Sequence, residues 1–180
     1  RASPNLMAEA LVSEPGTALV GDITYLPLIG GVWCYLASFQ DKFSRRVVGW
    51  KVSDRMTDDL VIGALEKAMM RGLVARRAII HSDRGSQYSS NSFRKLLKDN
   101  GLRQSMSGKG NCYDNAQAES FWARFKTELV EDGAFRSVVT VESISRYSRS
   151  WSPAICSKSF SKTPERDHRE KRLYIVFQLP

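Results

Sequence analysis

An α/β fold is what this 180-residue sequence predicts, and three observations carry it. Apolar, strand-like runs alternate with helix-like stretches through about the first 130 residues. The two helix-like stretches open on residues that suit an N-terminus and close on glycines, Gly72 and Gly101. Two of the apolar runs also hold an aspartate, Asp22 within Leu19–Leu26 and Asp83 closing Ala78–Asp83. The length suits one domain burying roughly 70% of its unfolded surface.

Taken in order, the segment to about Gly16 is irregular. Strands are expected at 20–28, 32–39 and 46–52, joined by Ile29-Gly30-Gly31 and by the polar link from Gln40 to Arg46, which suggests an antiparallel meander. A helix then starts near Thr57-Asp58 and buries Val61, Leu65, Ala68 and Met69. Residues 77–82 form the fourth strand, Ser90 or Asn91 caps a helix bearing Phe93, Leu96 and Leu97, and 102–105 is a short fifth strand. Trp33, Tyr35, Phe39 and Trp50 are expected to pack in the core or across strands.

The stretch from Ser105 to Asp114 is poor in apolar residues and has glycines at 108 and 110, so it reads as a loop. Asp114 with Gln117 forms a capping box, which assigns Asp114 to a helix start rather than to chemistry. Ala118, Trp122, Phe125 and Leu129 then make an apolar stripe that core packing accounts for. Glu119 lies about 100° round this helix from Ala118, at the border of the stripe. Lys126, seven residues on, returns to nearly the same azimuth about 10 Å along the axis. Taken alone, that pair reads as a solvated helix face.

A carboxylate inside an apolar strand is costly unless donors or cations hold it. Asp22, Asp83 and Glu119 together supply the convergent oxygen ligands that a hard divalent ion such as Mg²⁺ takes. The cysteines, Cys34, Cys112 and Cys156, show neither paired nor zinc-like spacing, so they are expected as reduced thiols. No signal-like start and no apolar run of about 18 residues occurs, which points to the cytoplasm and to no membrane partner. The formal charge of +8 suits a polyanion such as DNA. That excess is spread along the chain, so a binding surface must be assembled by folding.

Six segments in order raise this reading: Gly21–Tyr25, Asp41–Trp50, His81–Tyr88, Ser105–Ser107, Lys109–Ala116 and Glu119–Trp122. Together they resemble the catalytic core of bacterial insertion-sequence transposases of the IS-three group, relatives of retroviral integrases. The resemblance covers about residues 4–136. It implies a ribonuclease-H-like fold, a five-stranded mixed sheet flanked by helices, with Asp22, Asp83 and Glu119 as the catalytic and metal-binding triad. It further implies two divalent ions, Mg²⁺ or Mn²⁺, with Asp22 bridging them and Asp83 and Glu119 completing one sphere each. DNA nicking followed by 3′-OH strand transfer is the activity implied, on element ends and target DNA, by a homo-oligomer in the bacterial cytosol or on the nucleoid.

Lys126 matches a DNA-contacting basic residue of the integrase relatives. Lys109, Arg84, Asn111 and Gln87 are further candidate DNA contacts, as is Ser86, with solvent exposure the plain alternative for each. His81 is a candidate second-shell residue, set against an ordinary strand-end role, and Asp41 and Arg45 read as turn and surface-pair residues. The chain departs from the family in having Leu19 near a usual tryptophan and no helix-turn-helix before Arg1, so a separate subunit is a candidate terminal-repeat reader. The domains expected are an irregular lead (1–16), the core (17–135) and an atypical tail (136–180). Residues 137–161 contain nine serines, and that tail reads as weakly ordered, the product of a shifted frame. Two alternatives accompany the transposase core: a metal-dependent nuclease of the same fold, and an inactive DNA-binding remnant.

Overall fold

Seven regular elements and one turn of 3-10 helix make up residues 2–28 and 30–108, the part that the computed structural model describes. They are β1 (Ala18–Pro27), β2 (Trp33–Asp41), β3 (Val47–Ser53), α1 (Asp58–Met70), β4 (Ile79–Ser82), α2 (Asn91–Asp99) and β5 (Arg103–Met106). The sheet is ordered β3-β2-β1-β4-β5, antiparallel across β1–β2 and β2–β3 and parallel across β1–β4 and β4–β5. It is the five-stranded mixed sheet with flanking helices that the sequence implies.

Strand alternation sorts β1 onto two faces. Leu19 joins Ile80, Phe39 and Val48 beneath Leu60, Val61, Ala64, Leu65 and Ala68 of α1 and Phe93 and Leu97 of α2. Ala18, Val20 and Ile79 turn the other way and meet Met7 of the 3-10 turn. The same alternation sets Asp22 on the Val20 side. Gly49 lets α1 lie directly on β3, since a Cβ there would stand 2.2 Å from the Ala64 carbonyl oxygen. Ser90 caps α2, its Oγ accepting from the Phe93 N–H at 3.1 Å.

β2 runs two residues further than its periodicity suggests, through Gln40 and Asp41, because Asp41 is held in place. Only 1% exposed, it accepts from the Gly16 N–H with Oδ1 and from the Ser44 N–H and hydroxyl with Oδ2. Asp41 is therefore a buried turn organiser and not a surface-pair residue. Phe39 and Trp50 are buried as expected, and Tyr35 meets Tyr25 edge-on across β1–β2. Trp33 departs from that expectation: at the hairpin end it is 52% exposed. No helix among the described residues is long and apolar enough to cross a membrane.

Candidate active site

Parallel pairing of β1 with β4 sets the two aspartates toward the same end of neighbouring strands. Ala18 stands opposite Ile79, Leu19 opposite Ile80 and Val20 opposite His81. Asp22 and Asp83 each lie two residues beyond that last pair, Asp22 within β1 and Asp83 just past the last residue of β4. Asp22 is half-buried, with Oδ1 accepting from the Ile23 N–H at 2.9 Å. Asp83 is exposed, and its Oδ1 accepts from the Gly85 N–H at 2.9 Å, which folds the chain back over the strand end. Glu119, Lys126, Lys109 and Asn111 lie outside the described residues.

The segment after Asp83 is fastened from several sides. Arg84 Nε donates to the Ser107 carbonyl at 2.9 Å, and Gln87 Nε2 donates to the Met56 carbonyl at 3.1 Å. Gln104 Nε2 donates to the Tyr88 carbonyl at 2.7 Å. Arg84 and Gln87 thus brace the loop, while Ser86 is exposed. With Met56, Thr57, Asp58, Gln87 and Ser90, Ser86 lines an open cavity of about 350 Å³. In its wall, hydrogen bonds from the Ser92 and Ser90 side chains hold the Asp58 carboxyl below the usual carboxylate range.

His81 is fully buried and spans two serines, its Nδ1 2.8 Å from Ser105 Oγ and its Nε2 3.2 Å from Ser107 Oγ. Ser105 Oγ already accepts from the Leu6 and Met7 N–H groups, which leaves its own proton for Nδ1. Nε2 then carries the ring proton and donates to Ser107 Oγ, whose hydroxyl reaches the Ser82 carbonyl. The ring nitrogens are thereby committed to serine hydroxyls, and the histidine ties the N-terminal segment to β4 and β5.

Tyr88 is the residue that the sequence reading passed over. It is 2% exposed, wedged edge-on against Phe93 and Phe39 at centroid distances of 5.6 and 6.4 Å. Burial raises its phenol well above the ordinary range, and the Asp22 and Asp83 charges raise it further. The charges of both carboxylates thus reach one buried group.

Among the described residues no three histidine, cysteine or carboxylate side chains converge. Asp22 and Asp83 contribute two carboxylates with the hard oxygen donors that a divalent cation takes. One side of the pair is formed by the sheet and the braced loop, and Asp83 faces solvent. That donor set fits a cation such as Mg²⁺.

Comparison with known proteins agrees with the fold. The integrase core domain model matches residues 12–112. The InsF transposase of insertion sequence IS3A from Escherichia coli K12 is 45% identical over 136 residues, covering 75% of this chain and 47% of that protein. The transposase of insertion sequence element IS904 from Lactococcus lactis is 41% identical over 135 residues, covering 74% and 53%. The chain thus spans about half the length of these relatives. A cryo-electron-microscopy chain from the simian T-cell lymphotropic virus intasome superposes with a TM-score of 0.59 at 16% identity, covering 98% of this chain and 49% of that one. The sheet order, the flanking helices and this likeness make the fold ribonuclease-H-like, and the match over residues 12–112 places the chain in the integrase core family.

Proposed function

We propose that this chain is the catalytic core of an insertion-sequence transposase, nicking DNA and joining the freed 3′-OH to a second strand. The observation that carries the proposal is the parallel β1–β4 ladder of an integrase-core sheet, whose last pair, Val20 and His81, lies two residues before Asp22 and Asp83. Identity of 45% to a transposase supports DNA as the substrate, as element end and as target.

Asp22, Asp83 and Glu119 are the groups proposed to hold two divalent ions, Mg²⁺ or Mn²⁺. Bound there, such ions supply charge stabilisation of the attacking and leaving oxygens of an in-line displacement at phosphorus. The protein's part is to fix the two aspartates rigidly, Asp22 within β1 and Asp83 through its turn to Gly85. A site prepared in this way needs no rearrangement as charge develops on phosphate. Lys126, Lys109, Arg84, Asn111 and Gln87 are proposed to touch DNA, Arg84 and Gln87 while bracing the loop. His81 supports the site at one remove by fixing β4 against β5. Assembly on DNA as a homo-oligomer, a separate helix-turn-helix reader and action in the bacterial cytosol on the nucleoid belong to the same reading. So does the division into lead, core and tail at about residues 16 and 135.

The test supplies the chain with DNA carrying a pre-nicked element end and Mn²⁺, then resolves products on a denaturing gel. Joined strands are expected. Hydrolysis without joining would make the chain a nuclease, and neither product would make it a DNA-binding remnant.

A further inference from the structure

Strand topology gathers arginines at the end of the sheet away from Asp83. β1, β4 and β5 run parallel, so their first residues share one end, and the turn from β2 to β3 lies there too. Backbone contacts fix the row. The Lys42 N–H donates to the Ala18 carbonyl at 2.9 Å, Ala18 stands opposite Ile79, Ile79 stands opposite Arg103, and the Arg103 N–H donates to the Ala78 carbonyl at 2.9 Å. Along it Arg45 and Arg46 of the turn, Arg76 and Arg77 before β4, and Arg103 opening β5 are all exposed. With neighbouring strands about 4.8 Å apart, the row from β2 to β5 is about 15 Å wide.

The fold itself makes little use of these five side chains. Among the described residues the one ion pair is Lys95 with Asp99, and Asp41, the acid of the turn, is buried on the Gly16 and Ser44 donors. Glu14 and Glu66 are the exposed acids of the adjoining segments, fewer than the arginines. Arg45 and Arg77 also hold φ at 60° and 59°, in the left-handed region where glycine is less strained. Arginine at such a position points to a use outside the fold. Arg103 Nε donates to the Arg77 carbonyl at 3.0 Å, which anchors that guanidinium and leaves its other N–H groups as donors.

We propose that this end of the sheet binds the phosphate backbone of duplex DNA, whatever its sequence, at a surface remote from the two aspartates. About 15 Å of duplex presents about nine phosphate charges, and the guanidinium fork matches phosphate oxygens. Arg77 and Asp83 are separated by the length of β4, about 20 Å of extended chain, so a phosphate held here is not the one at the aspartates. The inference rests on DNA being what the chain handles, and not on the joining reaction.

The experiment uses the full chain and a short labelled duplex in EDTA, following fluorescence anisotropy across a salt series. Arg45→Gly/Arg77→Gly is compared with Lys67→Gln/Lys95→Gln, which removes equal charge from the helices. The glycine variant is expected to melt at or above the wild-type temperature, because backbone strain has been removed, yet the slope of log affinity against log salt should fall by about two. The lysine variant should keep the wild-type slope. An unchanged slope in the glycine variant overturns the proposal, and if that variant also loses self-association in sedimentation, the surface is a contact between copies. An equal fall in both variants overturns it as well, since net charge alone would then account for binding. A fallen slope confined to the glycine variant, from a chain that joins no strands, leaves this surface standing and removes only the strand-transfer reading.

Discussion

Val20 and His81 form the last pair of the parallel β1–β4 ladder, and Asp22 and Asp83 each stand two residues further along their chain segments. Two carboxylates so placed repel each other unless a cation lies between them. In calorimetric titration with Mn²⁺ or Mg²⁺, the binding heat is therefore expected to vanish in Asp22→Asn and to fall steeply in Asp83→Asn. Titration of Asp22→Asn that matches wild type would remove Asp22 from the site.

The His81 bridge makes a separate prediction about stability. Replacing His81 with alanine opens a cavity and strands the Ser105 and Ser107 hydroxyls, each of which loses a ring nitrogen as partner. A loss of at least about 2 kcal/mol is expected in urea unfolding, from the cavity and the unpaired groups together. An unchanged midpoint would mean that water replaces the ring without cost.

Much of this was legible in the sequence because it is local. The Ser90 cap of α2, the glycines that follow α1 and α2 and the aspartates in apolar runs are properties of a few neighbouring residues. What the sequence hid is long-range. Asp41 is buried because its carboxylate meets the Gly16 N–H, 25 residues away. Ser105 and Ser107 read as loop chemistry until β5 brings them to His81, 24 and 26 residues back. Tyr88 ends the segment His81–Tyr88, yet nothing near it tells a buried phenol from an exposed one. Trp33 alternates as a core residue should, but the hairpin end it occupies lies beyond what α1 covers, so periodicity alone misplaced it.

Tyr88 also sets a pH dependence for the metal-free chain. Its folded-state pKa is raised, by burial first and then by Asp22 and Asp83, so folding favours the neutral phenol. In the unfolded chain the phenol ionises near pH 10. Stability from this source is therefore fully present below about pH 10 and lost as pH climbs toward the folded value. Melting temperatures measured up the alkaline range should fall less steeply for Tyr88→Phe than for wild type. Parallel curves would show that the phenol ionises alike in both states.

Lys126 is a proposed phosphate contact, and its effect should be electrostatic rather than sequence-reading. Lys126→Ala is expected to weaken DNA binding uniformly across sequences and to reduce the slope of log affinity against log salt by about one. An unchanged slope would mean that Lys126 makes no phosphate contact.

Glu119→Gln discriminates most sharply among the readings of this chain. The substitution keeps the size of the side chain and its helix propensity beside Trp122, but removes the charge proposed to complete the set begun by Asp22 and Asp83. Its effect should fall on the transition state, where negative charge builds on the transferring phosphate, and not on folding or DNA affinity. The variant is expected to melt and to bind DNA as the wild type does, while strand joining from a pre-nicked end drops by at least about a hundredfold, the scale of losing one group that stabilises the developing charge. Joining at the wild-type rate would exclude Glu119 from the triad whatever the family likeness. Lost DNA binding would instead assign Glu119 to folding or to DNA contact.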